Sequence, residues 1–319
     1  MVAISIMIEA QDGLTWSRWQ TLAHEVEALG FAGLFRSDHF TNAQPPDKDS
    51  LEMIVSLTYL AATTKRIHFG PLVAPLSFRD PMLLVRQAAA LDDLSAGRMI
   101  LSLGAGWQER EHTLFGYELG DIATRMARLE EGLEVVTRLL KSDTPVTYEG
   151  KFYHLRGATL LPRPQRPGGP RILIGGNGRK RTLGFAARYA DIWNATFLPL
   201  DTFKELSAIL DGLLTQAGRK PTDVKRTMMK TLLFGRDNAE LEQQLTWRDT
   251  NKQYAGKPIA TVVNEIAASG SSVVGTPESI IEQLHAHTQA GVEELMLQWF
   301  DTDDIDRLRA FAKSVLPKL

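Results

Sequence analysis

The sequence contains no cysteine. This absence excludes disulfide bonds, thiolate nucleophiles, thiolate-bound metals and iron–sulfur clusters, so any redox chemistry has to come from a bound organic cofactor. An excess of one charge is also missing, because 36 Lys and Arg stand against 38 Asp and Glu. The chain therefore lacks the basic surface that binds a phosphate backbone, and we expect no nucleic acid among its partners.

Long apolar runs are missing as well. The apolar residues 2–8 are too few to span a membrane, end at Glu9 and have neither a basic lead-in nor a cleavage site. They are interpreted as a first strand, and the protein as cytoplasmic with no membrane partner. The histidines show no metal-binding spacing, since His285 and His287 stand two apart in a predicted helix and so point to different faces. No metal site is proposed.

Short β-branched runs alternate with helical patterns along the 319 residues, which is typical of βα units and a parallel sheet. The sequence predicts an α/β fold, a (β/α)8 TIM barrel, as one domain over residues 1–319. An open doubly wound sheet is less suitable, because residues 9–13 after the first strand lack its glycine-rich fingerprint. Eight strands are predicted at residues 4–8, 33–35, 67–73, 99–103, 172–174, 191–194, 229–234 and 294–299.

Two segments are longer than the repeating unit needs, and they predict insertions after strands 4 and 7. Residues 144–170 place aromatic side chains around a Glu149-Gly150 turn, which indicates a small hairpin. Residues 236–276 exceed one connection, and a long insertion after a barrel strand often forms a lid or a pocket wall.

The second predicted strand ends at Asp38 and His39. Active sites of such barrels lie where the strands end, so a carboxylate and an imidazole stand side by side at the mouth. There His39 could donate a proton or a hydrogen bond, and both residues are catalytic candidates. Alternatively, Asp38 caps a turn and His39 is a satisfied polar neighbour.

The third strand carries two prolines, Pro71 and Pro75, with Leu72 and Ala74 between them. Proline cannot donate to the hydrogen-bond ladder of a sheet. The pattern indicates either a bulge that presses backbone against a planar ligand or simply the end of the strand.

A glycine-rich turn follows the fourth strand. Gly104, Ala105 and Gly106 would let backbone approach a ligand closely, and Trp107 would add an aromatic wall. A tight turn without a ligand is the alternative.

A second glycine-rich turn follows the fifth strand, at Gly175, Gly176, Asn177 and Gly178, ahead of a helix that begins near Thr182. Free backbone N–H groups at a helix N-terminus form an anion site, and the basic residues 179–181 reinforce it. Their positive charges oppose the helix dipole, so they require an anion or solvent.

Aromatic and amide side chains end the sixth and eighth strands. Trp193 and Asn194 are the last residues of the sixth predicted strand, and Gln298 and Trp299 are the last residues of the eighth. All four are expected at the mouth, although Trp193 fits equally well as barrel packing.

At this point the sequence resembles the luciferase-like monooxygenase superfamily, in particular its branch of oxidoreductases that use the deazaflavin coenzyme F420. The matching segments are residues 33–40, 79–81, 91–98, 104–107, 161–164 and 174–178, in the family's order. The resemblance implies a bacterial luciferase-like barrel that holds a tricyclic ring against the strand-three bulge. It also implies a homodimer.

Residue by residue, the resemblance implies a cofactor site with Asp38 and His39 at the ring edge. Pro71 and Leu72 would be joined by a non-prolyl cis peptide behind the ring, with Ala74 beside it. The cofactor tail would run along Gly104, Ala105, Gly106, Trp107, Arg110, Gly175, Gly176, Asn177 and Gly178.

The function implied is hydride transfer between F420 and a small organic substrate. A deazaflavin does not readily activate oxygen, so the enzyme would be a reductase or a dehydrogenase; the alternative is an FMN-dependent monooxygenase that uses oxygen. A third hypothesis is a protein that binds a flavin but has no catalytic activity, which the fold alone does not exclude. The sugar-phosphate dehydrogenase branch has a catalytic carboxylate where this chain has Trp107, which counts against that substrate class.

Overall fold

Parallel strands and surrounding helices make up most of the computed structural model, which describes residues 2–248, 254 and 256–319. The strands are β1 (Ala3–Ile8), β2 (Gly33–Arg36), β3 (His68–Pro71), β4 (Ala74–Pro75), β5 (Ile100–Gly104), β6 (Val146–Glu149), β7 (His154–Ala158), β8 (Arg171–Gly175), β9 (Ile192–Thr196), β10 (Lys225–Phe234), β11 (Ser272–Gly275) and β12 (Glu294–Gln298). The helices are α1 (Trp16–Ala28), α2 (Met53–Thr63), α3 (Pro81–Leu94), α4 (Glu109–Phe115), α5 (Ile122–Lys141), α6 (Thr182–Tyr189), α7 (Leu200–Gln216), α8 (Asn238–Arg248), α9 (Ile259–Ser269), α10 (Pro277–Gln289) and α11 (Ile305–Val315).

The strand order β3-β2-β1-β12-β10-β9-β8-β5-β4 describes a nearly closed parallel barrel. A bridge between Phe69 and Met99 joins β3 to β5 and brings the two ends of this order together. β3 and β4 are two halves of one interrupted strand, so the barrel has eight strand positions. The predicted TIM-barrel fold and the interruption of the third strand are confirmed.

Side chains alternate between the barrel interior and the helical layer, as the pleat of each strand requires. The interior cluster is apolar and consists of Met7, Phe35, Leu72, Ile100, Leu173, Ile192 and Met296. Helix α1 shows how the outer layer packs, because Trp19, Leu22 and Val26 recur on one face and are buried against the strands.

Both predicted insertions are present. β6 and β7 form an antiparallel hairpin between the fourth and fifth barrel strands. After the barrel part of β10, the strand continues and pairs with β11, which the sequence did not predict as a strand. α8, α9 and β11 share a small separate core that includes Leu241, Val262 and Val274.

The amino-terminal end of the barrel is held by a buried arginine. The Arg98 guanidinium donates to the backbone carbonyls of Ala61, Thr64, Ile67 and Ser95 at 2.7 to 3.1 Å. Arg98 therefore acts structurally, far from the carboxyl ends of the strands. In the described part of the chain, no helix is long and apolar enough to cross a bilayer.

Candidate active site

The interruption between β3 and β4 shapes the mouth, by which we mean the carboxyl end of the barrel strands. Leu72 still continues the ladder, since its N–H donates to the carbonyl of Arg36 at 2.7 Å. The non-prolyl cis peptide therefore lies one bond later, between Leu72 and Val73. The expected position between Pro71 and Leu72 is wrong, because Pro71 is still paired with Arg36 in the parallel register.

Val73, which follows the cis bond, packs on the interior cluster and is partly exposed at the mouth. Its neighbours on two strands lack side chains: a Cβ on Gly104 would lie 2.4 Å from Val73 Cγ2, and one on Gly175 would lie 3.4 Å from Val73 Cγ1. We call Val73 with Gly104 and Gly175 the Val73 shelf, an apolar surface that a planar ring can lie on. Ala74 contributes no side chain to it, since Ala74 packs in the outer layer.

Asp38 is held by an arginine. Arg79 donates from Nε to Asp38 Oδ2 at 2.9 Å and from Nη2 to Oδ1 at 2.7 Å. Burial raises the pKa of the Asp38 carboxyl, and the Arg79 guanidinium opposes this effect. Asp38 and His39 follow β2 as neighbours, and each side chain hydrogen-bonds to a partner on a different segment.

His39 pairs with a carboxylate that the sequence did not single out. His39 Nδ1 lies 2.9 Å from Oε1 of Glu111, and Glu111 Oε2 accepts the N–H of Phe40 at 3.0 Å. Burial disfavours the charged imidazole, but the hydrogen bond and charge of Glu111 raise the pKa of His39 above its usual value, and Glu9 and Asp38 act in the same direction. Within the described residues, His39 Nε2 has no partner, so this nitrogen can face a ligand.

Trp107 stands edge-on to His39, with ring centroids 5.4 Å apart and an interplanar angle of 80°. Its side chain is 63% exposed. The turn that presents it needs Gly106, whose φ is +80° and whose added Cβ would collide with Ser77 Oγ. An exposed aromatic ring beside a histidine forms a wall for a ligand.

Arg110 does not contribute a free cation at this wall. Its guanidinium binds both carboxylate oxygens of Asp47, at 2.6 and 2.8 Å. It therefore ties α4 to the loop after β2, and a cleft of about 570 Å³ lies beside it and Trp107.

Asn177 holds the turn after β8 in place. Its Nδ2 donates to the carbonyl of Thr196 at 2.8 Å, and its Oδ1 accepts a hydrogen bond from the N–H of Thr196 at 3.0 Å. The backbone N–H groups of Asn177 and Gly178 have no hydrogen-bond partner among the described residues. Helix α6 also begins without a side-chain cap. This geometry suits an anion at the turn.

The basic residues after this turn are mostly neutralised by the protein itself. Arg179 pairs with Glu205 and Arg181 with Glu130. Lys180 is exposed and is left without a partner in the described part of the chain. The predicted need for an anion or solvent is therefore met, for the two arginines, by carboxylates of the protein itself.

Amide side chains, and not indoles, point into the barrel from β9 and β12. Because β9 continues to Thr196, Asn194 is buried in the middle of its strand, and only Gln298 lies at a strand end. Asn194 Nδ2 donates to Thr227 Oγ1 at 2.9 Å inside the barrel, and Gln298 Nε2 donates to Glu9 Oε1 at 2.5 Å. Trp193 stacks on a phenylalanine of α7 in the outer layer, and Trp299 also packs there, so neither indole faces the mouth. Successive residues of a strand alternate faces, so each pair could supply one mouth residue only.

Sequence reasoning missed three residues of this site: Glu111, Val73 and Glu9. Glu9 ends an inward-facing series on β1, with Met7 below it, so the period of two could have found it. Glu111 gave no comparable signal, because it reaches His39 across 72 residues from a short helix.

Comparisons with known proteins address the family and the fold of this chain. The profile of the luciferase-like monooxygenase family matches residues 2–294. A relative from Kineococcus radiotolerans is named F420-dependent glucose-6-phosphate dehydrogenase. It is 27% identical over an alignment of 318 residues, gaps included, that covers 93% of this chain and 91% of that protein.

Two solved structures share the fold. An F420-dependent secondary alcohol dehydrogenase, solved with an F420–acetone adduct, superposes with a TM-score of 0.82 at 19% identity and covers 99% of this chain and 98% of its own. A monooxygenase from Streptomyces bottropensis superposes with a TM-score of 0.83 at 21% identity, and the match covers 99% of each chain. The predicted type of barrel is thereby confirmed.

Proposed function

Because this chain belongs to the luciferase-like monooxygenase family, as its sequence predicts, we propose that it is an oxidoreductase that transfers a hydride between coenzyme F420 and a small organic substrate. One observation carries the proposal: the Val73 shelf and the free Nε2 of His39 lie at the ends of neighbouring strands. The names of relatives such as the one from Kineococcus radiotolerans support F420 as the cofactor.

The mouth fits a tricyclic cofactor with a phosphate. A ring on the Val73 shelf would rest on an apolar side chain and on backbone, because Gly104 and Gly175 present no Cβ. The free N–H groups of Asn177 and Gly178 would hold the phosphate, with Lys180 adding positive charge. FMN and F420 both have a tricyclic ring and a phosphate, so the residues alone fit either cofactor.

Bound F420 would supply the two-electron acceptor and donor for the hydride. For an alcohol substrate in the oxidative direction, His39 Nε2 takes the hydroxyl proton while the carbon-bound hydrogen leaves as hydride. The Glu111 carboxylate stabilises the imidazolium that results. In the reductive direction, the same Nε2 returns the proton.

For the substrate, we propose a small molecule without a phosphate group. Arg79, which precedes α3, and Arg110, in α4, are already paired with Asp38 and Asp47. The exposed Trp107 favours an apolar surface on the substrate. Turnover of glucose 6-phosphate with an efficiency above that of simple alcohols would overturn this part of the proposal.

The remaining features of the proposal concern the protein's setting. We propose that residues 1–319 act as one barrel domain, in a cytoplasmic homodimer that binds neither nucleic acid nor membrane. Sedimentation as a monomer at micromolar concentration would overturn the dimer.

The first test is to titrate F420 and FMN separately into purified apoprotein and to follow quenching of tryptophan fluorescence. We expect tight, selective binding of F420, and turnover that persists unchanged without oxygen. An FMN-dependent monooxygenase is the second candidate, supported by the fold likeness to the Streptomyces bottropensis monooxygenase. Preference for FMN together with oxygen-dependent turnover would establish it instead.

His39→Ala tests the assigned proton carrier. The variant should bind the cofactor within about threefold of the wild type and lose at least about a hundredfold in kcat, which is the usual contribution of general acid–base catalysis. His285→Ala, an exposed histidine on α10, is the control and should change neither value. Unchanged kcat in the His39 variant would remove this residue from the mechanism.

A further inference from the structure

We infer that Glu111 is the positioning residue of this site: it fixes the tautomer and the direction of His39, so that Nε2 faces the reacting group. The inference rests on the proposed function. Glu111 is 1% exposed, and its two carboxylate oxygens contact His39 Nδ1 and the Phe40 N–H at 2.9 and 3.0 Å. One buried carboxylate thus holds both the imidazole and the backbone next to it.

The start of α4 keeps this carboxylate in place. Gln108, which precedes the helix, donates to the carbonyl of Thr41 at 2.8 Å. His112, which follows Glu111, has its Nδ1 2.7 Å from the Gln108 carbonyl and its Nε2 2.8 Å from Ser77 Oγ. Buried hydrogen bonds therefore flank Glu111 on both sides, and its carboxylate needs little reorganisation to hold a charge.

The chemistry follows from the acceptor character of a carboxylate. Glu111 Oε1 can only accept, so the neutral imidazole carries its proton on Nδ1 and leaves Nε2 as the base. Once Nε2 is protonated, the negative charge of Glu111 stabilises the cation. Without Glu111, either tautomer would be allowed, and the ring would lose its fixed direction.

Other charged groups also face the imidazole and have to be held constant. Glu9 at the end of β1 and Asp38 beside His39 both favour the charged ring, and Asp38 is itself paired with Arg79. Trp107, on the loop before α4, presents an uncharged ring edge. Glu111 alone among the described carboxylates hydrogen-bonds to the ring, so its removal should have the largest effect.

The test compares Glu111→Gln with Glu109→Gln, a control in the same first turn of α4 whose side chain is exposed. His39 is titrated by NMR in both variants and in the wild type, without cofactor. We expect the His39 pKa to fall by about one unit or more in Glu111→Gln and to stay unchanged in Glu109→Gln. In turnover, Glu111→Gln should lower kcat at least tenfold, leave the KM for F420 within about threefold, and shift the pH profile to lower pH.

A measurement on the wild type covers the case in which Glu111→Gln does not fold. The ¹⁵N chemical shifts of the neutral His39 ring report its tautomer, and protonation at Nδ1 is expected. Protonation at Nε2, or an unchanged His39 pKa in a folded Glu111→Gln variant, would overturn the inference even if F420 turnover is found. A lowered pKa in a protein that does not turn over F420 would instead support the control of the His39 ring by Glu111 and refute the proposed function.

Discussion

Gly104→Ala tests whether the Val73 shelf is set by the absence of a side chain. The added Cβ would lie 2.4 Å from Val73 Cγ2, more than 1 Å closer than the ~3.5–4.0 Å at which carbon atoms pack. Overpacking of this kind costs about 2 kcal/mol of unfolding free energy. Because Val73 is displaced toward the ring position, we also expect the Kd for F420 to rise about tenfold, which is ~1.4 kcal/mol.

A double-mutant cycle with Val73→Ala isolates this contact. Val73→Ala alone should cost about 1 kcal/mol, since the side chain is only partly buried. If the collision causes the loss in Gly104→Ala, the double variant should also lose only about 1 kcal/mol, which gives a coupling of about 2 kcal/mol. Additive losses of about 3 kcal/mol would refute the reasoning.

The assay is urea unfolding followed by tryptophan fluorescence and circular dichroism, and the analysis requires that the two transitions coincide. Gly212→Ala in α7 is the matched control, because no heavy atom lies within 4 Å of its added Cβ. That variant should gain about 0.5–1 kcal/mol from helix propensity and keep the wild-type Kd.

Three further predictions concern other parts of the barrel. Burial lowers the pKa of His287 to about 4, below the 6.5 of the unfolded chain. The free energy of unfolding therefore keeps its full value above pH 6.5, where His287 is neutral in both states, and decreases as the pH falls toward 4. In urea unfolding, His287→Gln should remove about 3 kcal/mol of this pH dependence, whereas the exposed-site control His285→Gln should not. Arg98→Met should cost about 3 kcal/mol in urea unfolding and leave the F420 Kd unchanged, because its hydrogen bonds lie at the far end of the barrel. Asn177→Ala removes two hydrogen bonds to the backbone of Thr196, so it should raise the F420 Kd about tenfold in fluorescence titration and cost about 1–2 kcal/mol in urea unfolding.

The fold could be predicted from the sequence because its signals are local and repeated. All eight predicted barrel strands are observed, and the hairpin of β6 and β7 follows from one turn flanked by aromatic residues. β11 was not predicted from the sequence, because it pairs with the end of β10 and extends the sheet past the barrel. Four residues inside a long insertion carry too little pattern to be separated from a loop.

The site was harder to predict because its geometry depends on side-chain directions. The positions of Asp38 and His39 at the mouth follow from where β2 ends, but their partners do not. Arg79 precedes α3 and Glu111 lies in α4, so both pairings join segments that are far apart in sequence. The cis peptide after Leu72 was misplaced by one bond for a related reason, because the register between β2 and β3 decides where the ladder stops.

The loop after β2 shows how the fold prepares His39 before any ligand arrives. Arg79 holds Asp38 from one side, Glu111 holds the His39 ring from another, and Ser50 Oγ donates to the His39 carbonyl at 2.8 Å. Each partner belongs to a different segment, so no single local change can turn the ring without breaking a hydrogen bond. A proton carrier fixed in this way needs little reorganisation during the reaction, which is the arrangement that preorganised active sites use. We therefore expect the role of Asp38 to be exerted through the position and charge state of His39, and not through direct contact with the substrate.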